Sequence, residues 1–136
     1  MYPPELTMPM KAQLVDAGFV SLENAEAVDN ALNTQDTVLL VINSVCGCAA
    51  GAMRPGVLSS LKHVKQPVKK LTVFAGVDGD AVAQARKYTL PYPPSSPSIA
   101  LFKNGTLVHF LERHHIEGRS AEMLADHLKQ VYDQFC

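Results

Sequence analysis

The sequence predicts an α/β fold in which a mixed sheet lies between two layers of helices, and three observations predict it. Val38-Leu39-Leu40-Val41-Ile42 is apolar on both faces, as a central strand covered on both sides must be. Stretches with apolar residues at helical spacing alternate with short apolar runs of this kind. Lys103-Asn104-Gly105-Thr106 carries Asn-Gly, the strongest short hairpin signal, between the last two such runs. The element order is α-α-β-α-β-α-β-β-α. This gives a right-handed βαβ unit followed by an antiparallel hairpin, making a central mixed four-stranded sheet in a three-layer α/β/α sandwich with extra N-terminal helices. At 136 residues the chain is expected to form a single domain over residues 1–136.

Each element has a local reason. Residues 4–17 place Leu6, Met10, Leu14 and Val15 near helical spacing, with Pro9 bending or restarting the helix and Gly18 stopping it. Ser21 is positioned to cap a second helix over residues 22–33, with Leu22, Ala25, Val28, Ala31 and Leu32 on one face. The first strand follows at 37–43. Residues 49–65 read as a helix kinked by Pro55-Gly56 and closed by Gln66-Pro67. Residues 71–76 form the next strand, and Asp78 is positioned to cap a helix over 79–89. The proline-rich segment 90–97 has neither period and reads as a loop. Strands at 98–102 and 107–111 flank the Asn-Gly turn. Ser120 caps a final helix whose stripe is Met123, Leu124, Leu128, Val131, Tyr132 and Phe135.

Composition excludes several classes of function. Twelve basic and 13 acidic residues give a net charge of -1 with no basic block, so no nucleic-acid or anionic-membrane surface is expected. The apolar run Val38–Ile42 is far short of the ~20 residues that span a bilayer. The first residues lack the basic-then-apolar order of a secretion signal, and a cytoplasmic location is expected. Three cysteines are too few for a disulfide framework. In a reducing compartment a close pair is more often catalytic or metal-binding than structural.

That pair is Cys46-Gly47-Cys48, directly after the central strand. If a helix starts there, its unpaired N–H groups and dipole favour thiolate over thiol in the first turn. This arrangement of a dithiol at the strand-to-helix turn resembles the thioredoxin fold. The segment Ser96-Pro97-Ser98-Ile99-Ala100-Leu101-Phe102-Lys103-Asn104-Gly105 is similar to the one that carries the cis-proline in that fold. The resemblance implies that Pro97 is cis, and that Ser96 and Pro97 bind an extended substrate beside the thiols.

A closer resemblance is to the bacilliredoxin family. It is carried by Asn43-Ser44-Val45-Cys46-Gly47-Cys48-Ala49-Ala50-Gly51, Arg54-Pro55, Thr72-Val73-Phe74-Ala75-Gly76, residues 93–101 and Arg113-His114-His115-Ile116-Glu117-Gly118-Arg119. It implies a bacterial cytoplasmic thiol-disulfide oxidoreductase that removes the low-molecular-weight thiol bacillithiol from mixed disulfides on client proteins. Bacillithiol is then a thiol co-substrate, and no cofactor is implied. General disulfide isomerase or reductase activity is an alternative, as is a non-catalytic redox-sensing binding module. The buried aspartate that thioredoxins place on the strand before the active site is replaced by Leu40, so the base serving the second thiol has no assigned residue.

In this setting Cys46, at the exposed edge of the turn, is the expected attacking thiolate, and Cys48, expected to be more buried, is the resolving thiol. Gly47 allows the small ring of a disulfide closed across one residue. Arg54 is either a solvated helix residue or a support for a thiolate or an anionic thiol. A zinc site would need Cys46, Cys48 and two of His63, His109, His114 and His115. The usual ligand spacings are absent, and no metal is expected. His114 and His115 read as loop and helix-entry residues, and Cys136 as an incidental terminal thiol.

Overall fold

The strand β2 (Thr37–Asn43) runs through the middle of the protein, and every one of its residues after Thr37 is buried. A computed structural model describes residues 2–136 around it; Met1, the first residue of the expected domain, lies outside the described residues. Side chains alternate along β2 as the two-residue period of a strand requires. Leu39 and Val41 enter one core with Leu14, Met53, Val57, Leu124, Leu128 and Tyr132. Val38, Leu40 and Ile42 enter a second core with Val28, Leu32, Val82, Ala85 and Phe102. The helices α1 (Pro4–Val15), α3 (Arg54–Ser60) and α6 (Ala121–Phe135) therefore cover one face, and α2 (Ala25–Leu32) and α4 (Gly79–Tyr88) the other. These are the three layers that the patterning predicts.

The sheet has five strands, not four. The strand β3 (Lys69–Phe74) runs parallel to β2, with Leu40 opposite Leu71. The hairpin strand β4 (Ser98–Lys103) lies antiparallel on the other side of β2, and β5 (Thr106–Leu111) completes that edge. The extra strand is β1, only Val20–Ser21, parallel to β3 at the opposite edge. Two residues give no period to read. Ser21 thus lies in a strand and caps nothing; α2 starts later, and the Asn24 side chain accepts the Ala27 N–H at 2.8 Å as its cap.

Other boundaries differ for local reasons. The helix α1 continues through Pro9, which like Glu5 is exposed, so the carbonyl deprived of its partner lies on the solvent side. Of its apolar residues Leu14 is buried, whereas Leu6 and Val15 are exposed. Met123 of α6 is also exposed and belongs outside the stripe that Leu124, Leu128, Val131 and Tyr132 form. Asp78 precedes α4 but does not cap it: its carboxylate accepts the Phe74 N–H at 3.1 Å and pairs with Lys11.

Two features come out as the sequence predicts. Ser120 accepts the Met123 N–H at 3.1 Å and starts α6. Asn104 and Gly105 both have positive φ, 54° and 76°, the backbone of a type I′ turn between β4 and β5.

The helix expected over 49–65 is two elements. A π-helical turn spans Ala49–Met53, and in it the Arg54 N–H donates to Ala49 O, five residues back. The helix α3 then begins, with Pro55 in its first turn, where a missing N–H costs least, and it ends at Ser60. Gly56 lets α3 approach α6 closely: a Cβ there would sit 3.0 Å from Ala121 O and from Leu124 Cδ2. No helix among the described residues is long and apolar enough to cross a membrane.

Candidate active site

The site forms where β2 ends. Asn43 is a fully buried polar residue closing an apolar strand, and its side chain ties three segments together. Its amide donates to the Met10 carbonyl of α1 at 3.3 Å, and its Oδ1 accepts the Ser44 N–H at 2.9 Å and Arg54 Nη1 at 3.0 Å. The chain then turns through Val45 and Cys46, and helical winding begins at Gly47. The Cys46 carbonyl accepts the N–H groups of Ala49 and Ala50.

The two sulfurs lie 2.8 Å apart, and Ser44 Oγ donates to Cys46 Sγ at 3.2 Å. Burial acts first on Cys46 and would push its thiol up. Hydrogen bonds from Cys48, Ser44 and the Ala49 N–H, with the charge of Arg113, outweigh burial and hold Cys46 below the ordinary thiol value. Cys48 moves the opposite way, pushed up to about 11 by burial, by sharing its proton with Cys46 and by the negative charge there; Arg113 opposes this shift and Glu117 adds to it. Both cysteines are half-buried, so the expectation that Cys48 is deeper is not met. Hydrogen bonding, not depth, distinguishes the two thiols.

Opposite the thiols, the Ser96–Pro97 peptide bond is cis, as the resemblance implies, and Leu90–Pro91 is cis as well. Ser96 lines a cavity of about 250 Å³ that opens beside Cys46. Leu40, in place of an aspartate, is fully buried and points into the core under α2 and α4.

Arg54 is not a solvated helix residue. It is only 1 % exposed, with Nε donating to Gln13 Oε1 at 2.9 Å and Nη1 donating to the Ser44 carbonyl at 2.9 Å. Burial lowers its pKa and the charge of Cys46 raises it. Among the described residues no carboxylate pairs with it. The guanidinium is held by neutral groups of α1, of the end of β2 and of the turn that carries the thiols.

Arg113, quoted within a motif but given no role by the sequence, is the residue beside the thiols that pattern reading misses. It begins the short helix α5 (Arg113–Ile116), which Glu112 and His115 close with reciprocal side-chain to backbone bonds. Its N–H donates to Ser95 Oγ at 3.3 Å, Nη1 to the Ser96 carbonyl at 3.4 Å, and Nε pairs with Glu117. The available signal was chemical: a cation shortly before the Glu117-Gly118 turn, in a motif already singled out. Asn43 also had one, as the polar residue ending the apolar strand.

The histidines do not gather at the thiols. His63 pairs with Asp133, and His109 shares a hydrogen bond with His127 at 3.0 Å. The one cluster of three potential metal-ligating side chains among the described residues is Glu112, His114 and His115, and it contains neither cysteine.

A thioredoxin-type sheet with a close, oppositely shifted thiol pair at the end of its central strand, facing a cis-proline, defines a thiol-disulfide oxidoreductase. Solved structures agree on the fold. A thioredoxin from Fasciola hepatica superposes with a TM-score of 0.60 at 16% identity, covering 87% of this chain and all (100%) of that one. The oxidised mitochondrial thioredoxin 3 of Saccharomyces cerevisiae gives 0.58 at 14% identity, covering 85% and 94%.

Residues 2–136 match the family described as disulphide isomerase. A bacilliredoxin from Cytophaga hutchinsonii is 63% identical over 134 residues, 98% of this chain and 99% of that protein. One from Koribacter versatilis is 46% identical over 137 residues, 100% of this chain and 94% of that protein. The chain belongs to the bacilliredoxin family.

Proposed function

We propose that the protein removes bacillithiol from mixed disulfides on client proteins in the cytoplasm, with Cys46 as the attacking thiolate. The observation that carries this reading is the opposite displacement of two thiols whose sulfurs lie 2.8 Å apart. The Cys46 thiolate attacks the bacillithiol sulfur of the client disulfide. A Cys46–bacillithiol disulfide forms, and the client sulfur leaves as a thiolate that takes up a proton. Cys48 then loses its proton and attacks Cys46 Sγ, releasing bacillithiol as a thiolate and leaving a Cys46–Cys48 disulfide that a thiol reductant resets.

The order of events follows from the coupling. While Cys46 carries charge, Cys48 is held as a thiol; once Cys46 is in a mixed disulfide that charge is gone, and burial and Glu117 alone still raise Cys48, against Arg113. Gly47 lets the one-residue ring close. Ser96 and cis-Pro97 offer the backbone on which an extended client segment lies. Arg54, buried in the same turn, supplies a fixed positive field under the thiolate. Protein disulfide isomerisation uses the same first step, and the family description favours it as the second reading.

The test measures bacillithiol release from a bacillithiolated client. Cys46→Ser should abolish release, and Cys48→Ser should accumulate the Cys46 adduct unless free thiol is supplied. Release by Cys46→Ser at the wild-type rate would defeat the assignment. Rearrangement of scrambled intramolecular disulfides, with no bacillithiol released from the mixed disulfide, would favour isomerisation.

A further inference from the structure

Four of the chain's five histidines lie on β5, α5 and α6. His114 and His115 stack with ring centroids 4.0 Å apart, and with Glu112 they bring three potential ligand atoms within 4.8 Å of one another. Two of these three residues are already committed to structure. The Glu112 side chain accepts the His115 N–H, and His115 Nδ1 accepts the Glu112 N–H at 3.0 Å, which closes the first turn of α5. That second bond puts the proton of a neutral His115 ring on Nε2, so neither of its nitrogens has a lone pair to offer.

His109 and His127 are arranged differently. Nε2 of one ring faces Nε2 of the other at 3.0 Å, with the ring centroids 5.1 Å apart. His109 is held on β5 beside the buried Phe110 and Leu111, and His127 on α6 beside the buried Leu128, so two packed elements fix the pair. Neither Nδ1 has a hydrogen-bond partner among the described residues. Burial, above all, holds both rings below the ordinary imidazole pKa. The charges of His127 and His115 add to this at His109, and those of Arg119 and His115 at His127. At neutral pH both rings are therefore uncharged, one donating its Nε2–H to the other.

The geometry points to a metal site at His109 and His127, for a divalent transition ion of the class that favours imidazole, Cu²⁺, Ni²⁺ or Zn²⁺. Nitrogen binds zinc at about 2.0–2.1 Å, so two nitrogens in neighbouring positions are about 2.9 Å apart at a right angle and about 3.3 Å at a tetrahedral one. The observed 3.0 Å lies between these values. Binding involves no change of oxidation state. The Nε2 proton of the donor ring moves to that ring's free Nδ1, both Nε2 lone pairs then face the ion, and water completes its coordination. The two ligands are 18 positions apart on a strand and a helix, so no short spacing announces them, and they are separate from the cysteines. A bound ion clamps β5 to α6, against the opposing charge of Arg119.

The test uses the full chain with Cys46, Cys48 and Cys136 all replaced by serine, which removes competing thiolate ligands. Cu²⁺ alone is titrated in a non-coordinating buffer, with affinity read by calorimetry and ligation by the nitrogen hyperfine pattern in electron paramagnetic resonance. The tightest-bound ion should show two imidazole nitrogens. Loss of an outer-shell partner already costs about 10–100-fold in metal affinity, so removing a direct ligand by His109→Gln or His127→Gln should weaken binding by about a hundredfold. His114→Gln should leave the affinity unchanged, and Arg119→Gln should tighten it. Zn²⁺ should raise the melting temperature of the serine protein and leave that of its His109→Gln form unmoved. Binding that survives both His109→Gln and His127→Gln, or that is lost with His114→Gln, would overturn the site. So would a hyperfine pattern without two imidazoles in the parent, a measurement that needs no histidine variant to fold.

Discussion

Replacing Cys48 by alanine isolates the interaction that separates the two thiols. The substitution removes the Cys48 sulfur, which lies 2.8 Å from Cys46 Sγ and shares its proton with the thiolate. A hydrogen bond to a charged group is worth about 1.5–3 kcal/mol, and the lower end applies because S–H is a weak donor and the sulfur is half-exposed. At 1.36 kcal/mol for each pH unit, the Cys46 pKa should rise by about one unit. The assay is the rate of alkylation of Cys46 by iodoacetamide across the pH range, in a background where Cys136 is replaced by serine. Below its pKa the Cys48→Ala protein should react up to about tenfold more slowly than its parent, and the two curves should converge at alkaline pH. Cys48→Ser retains an O–H donor and should follow the parent profile. A Cys48→Ala profile that coincides with the parent would show that Ser44, the Ala49 N–H and Arg113 hold the thiolate without Cys48, and the proposed division of labour would fail.

Three further outcomes follow from the structure. Arg54→Met leaves the buried Ser44 carbonyl without its 2.9 Å donor, so urea denaturation should show a loss of about 1–3 kcal/mol, with the Cys46 alkylation profile displaced to higher pH. Tyr132 is fully buried, and its hydroxyl is pushed up to about 12, chiefly by burial. The folded state therefore holds this proton more tightly than the unfolded chain. The associated stability is complete below the ordinary tyrosine pKa of ~10 and is lost as pH climbs toward the folded value; thermal melts of Tyr132→Phe, compared with wild type, should lack that part of the alkaline decline. Gly56→Ala pushes a methyl to 3.0 Å from Ala121 O and Leu124 Cδ2, and forcing α3 and α6 apart should cost about 1–3 kcal/mol by the same denaturation assay.

The elements that sequence made legible are those whose signals are local. The two-residue alternation of Val38 through Ile42 reveals which side chains enter which core, Asn104-Gly105 sets the hairpin, and Ser120 marks the start of α6. The strand β1 escaped because Val20–Ser21 is too short for any period, and it exists only because β3 offers an edge. At the site, Cys46-Gly47-Cys48 and Pro97 stand out as motifs. The support around them does not, because it is built across the chain: Gln13 reaches Arg54 over 41 positions, and Met10 reaches Asn43 over 33. Arg113 was hidden for the same reason, since its closeness to the cysteines depends on β5 returning beside β4 and placing α5 against the cis-proline loop. Cys48 lies no deeper than Cys46 because a single residue separates them, and both thiols sit side by side in one turn at the end of β2.

That π turn settles a matter of phase. An α-helix advances about 100° per residue, so one residue more or fewer before α3 would rotate Arg54 out from beneath the thiols and Gly56 away from α6. A Cys-Gly-Cys centre is one residue shorter than a Cys-x-x-Cys centre, and the bond from the Arg54 N–H to Ala49 O encloses one residue more than α-winding would. The deletion and the insertion cancel. The chain can shorten its dithiol ring without disturbing the register of the helix behind it, and lengthening that ring would have to be matched by removing a residue between Ala49 and Met53.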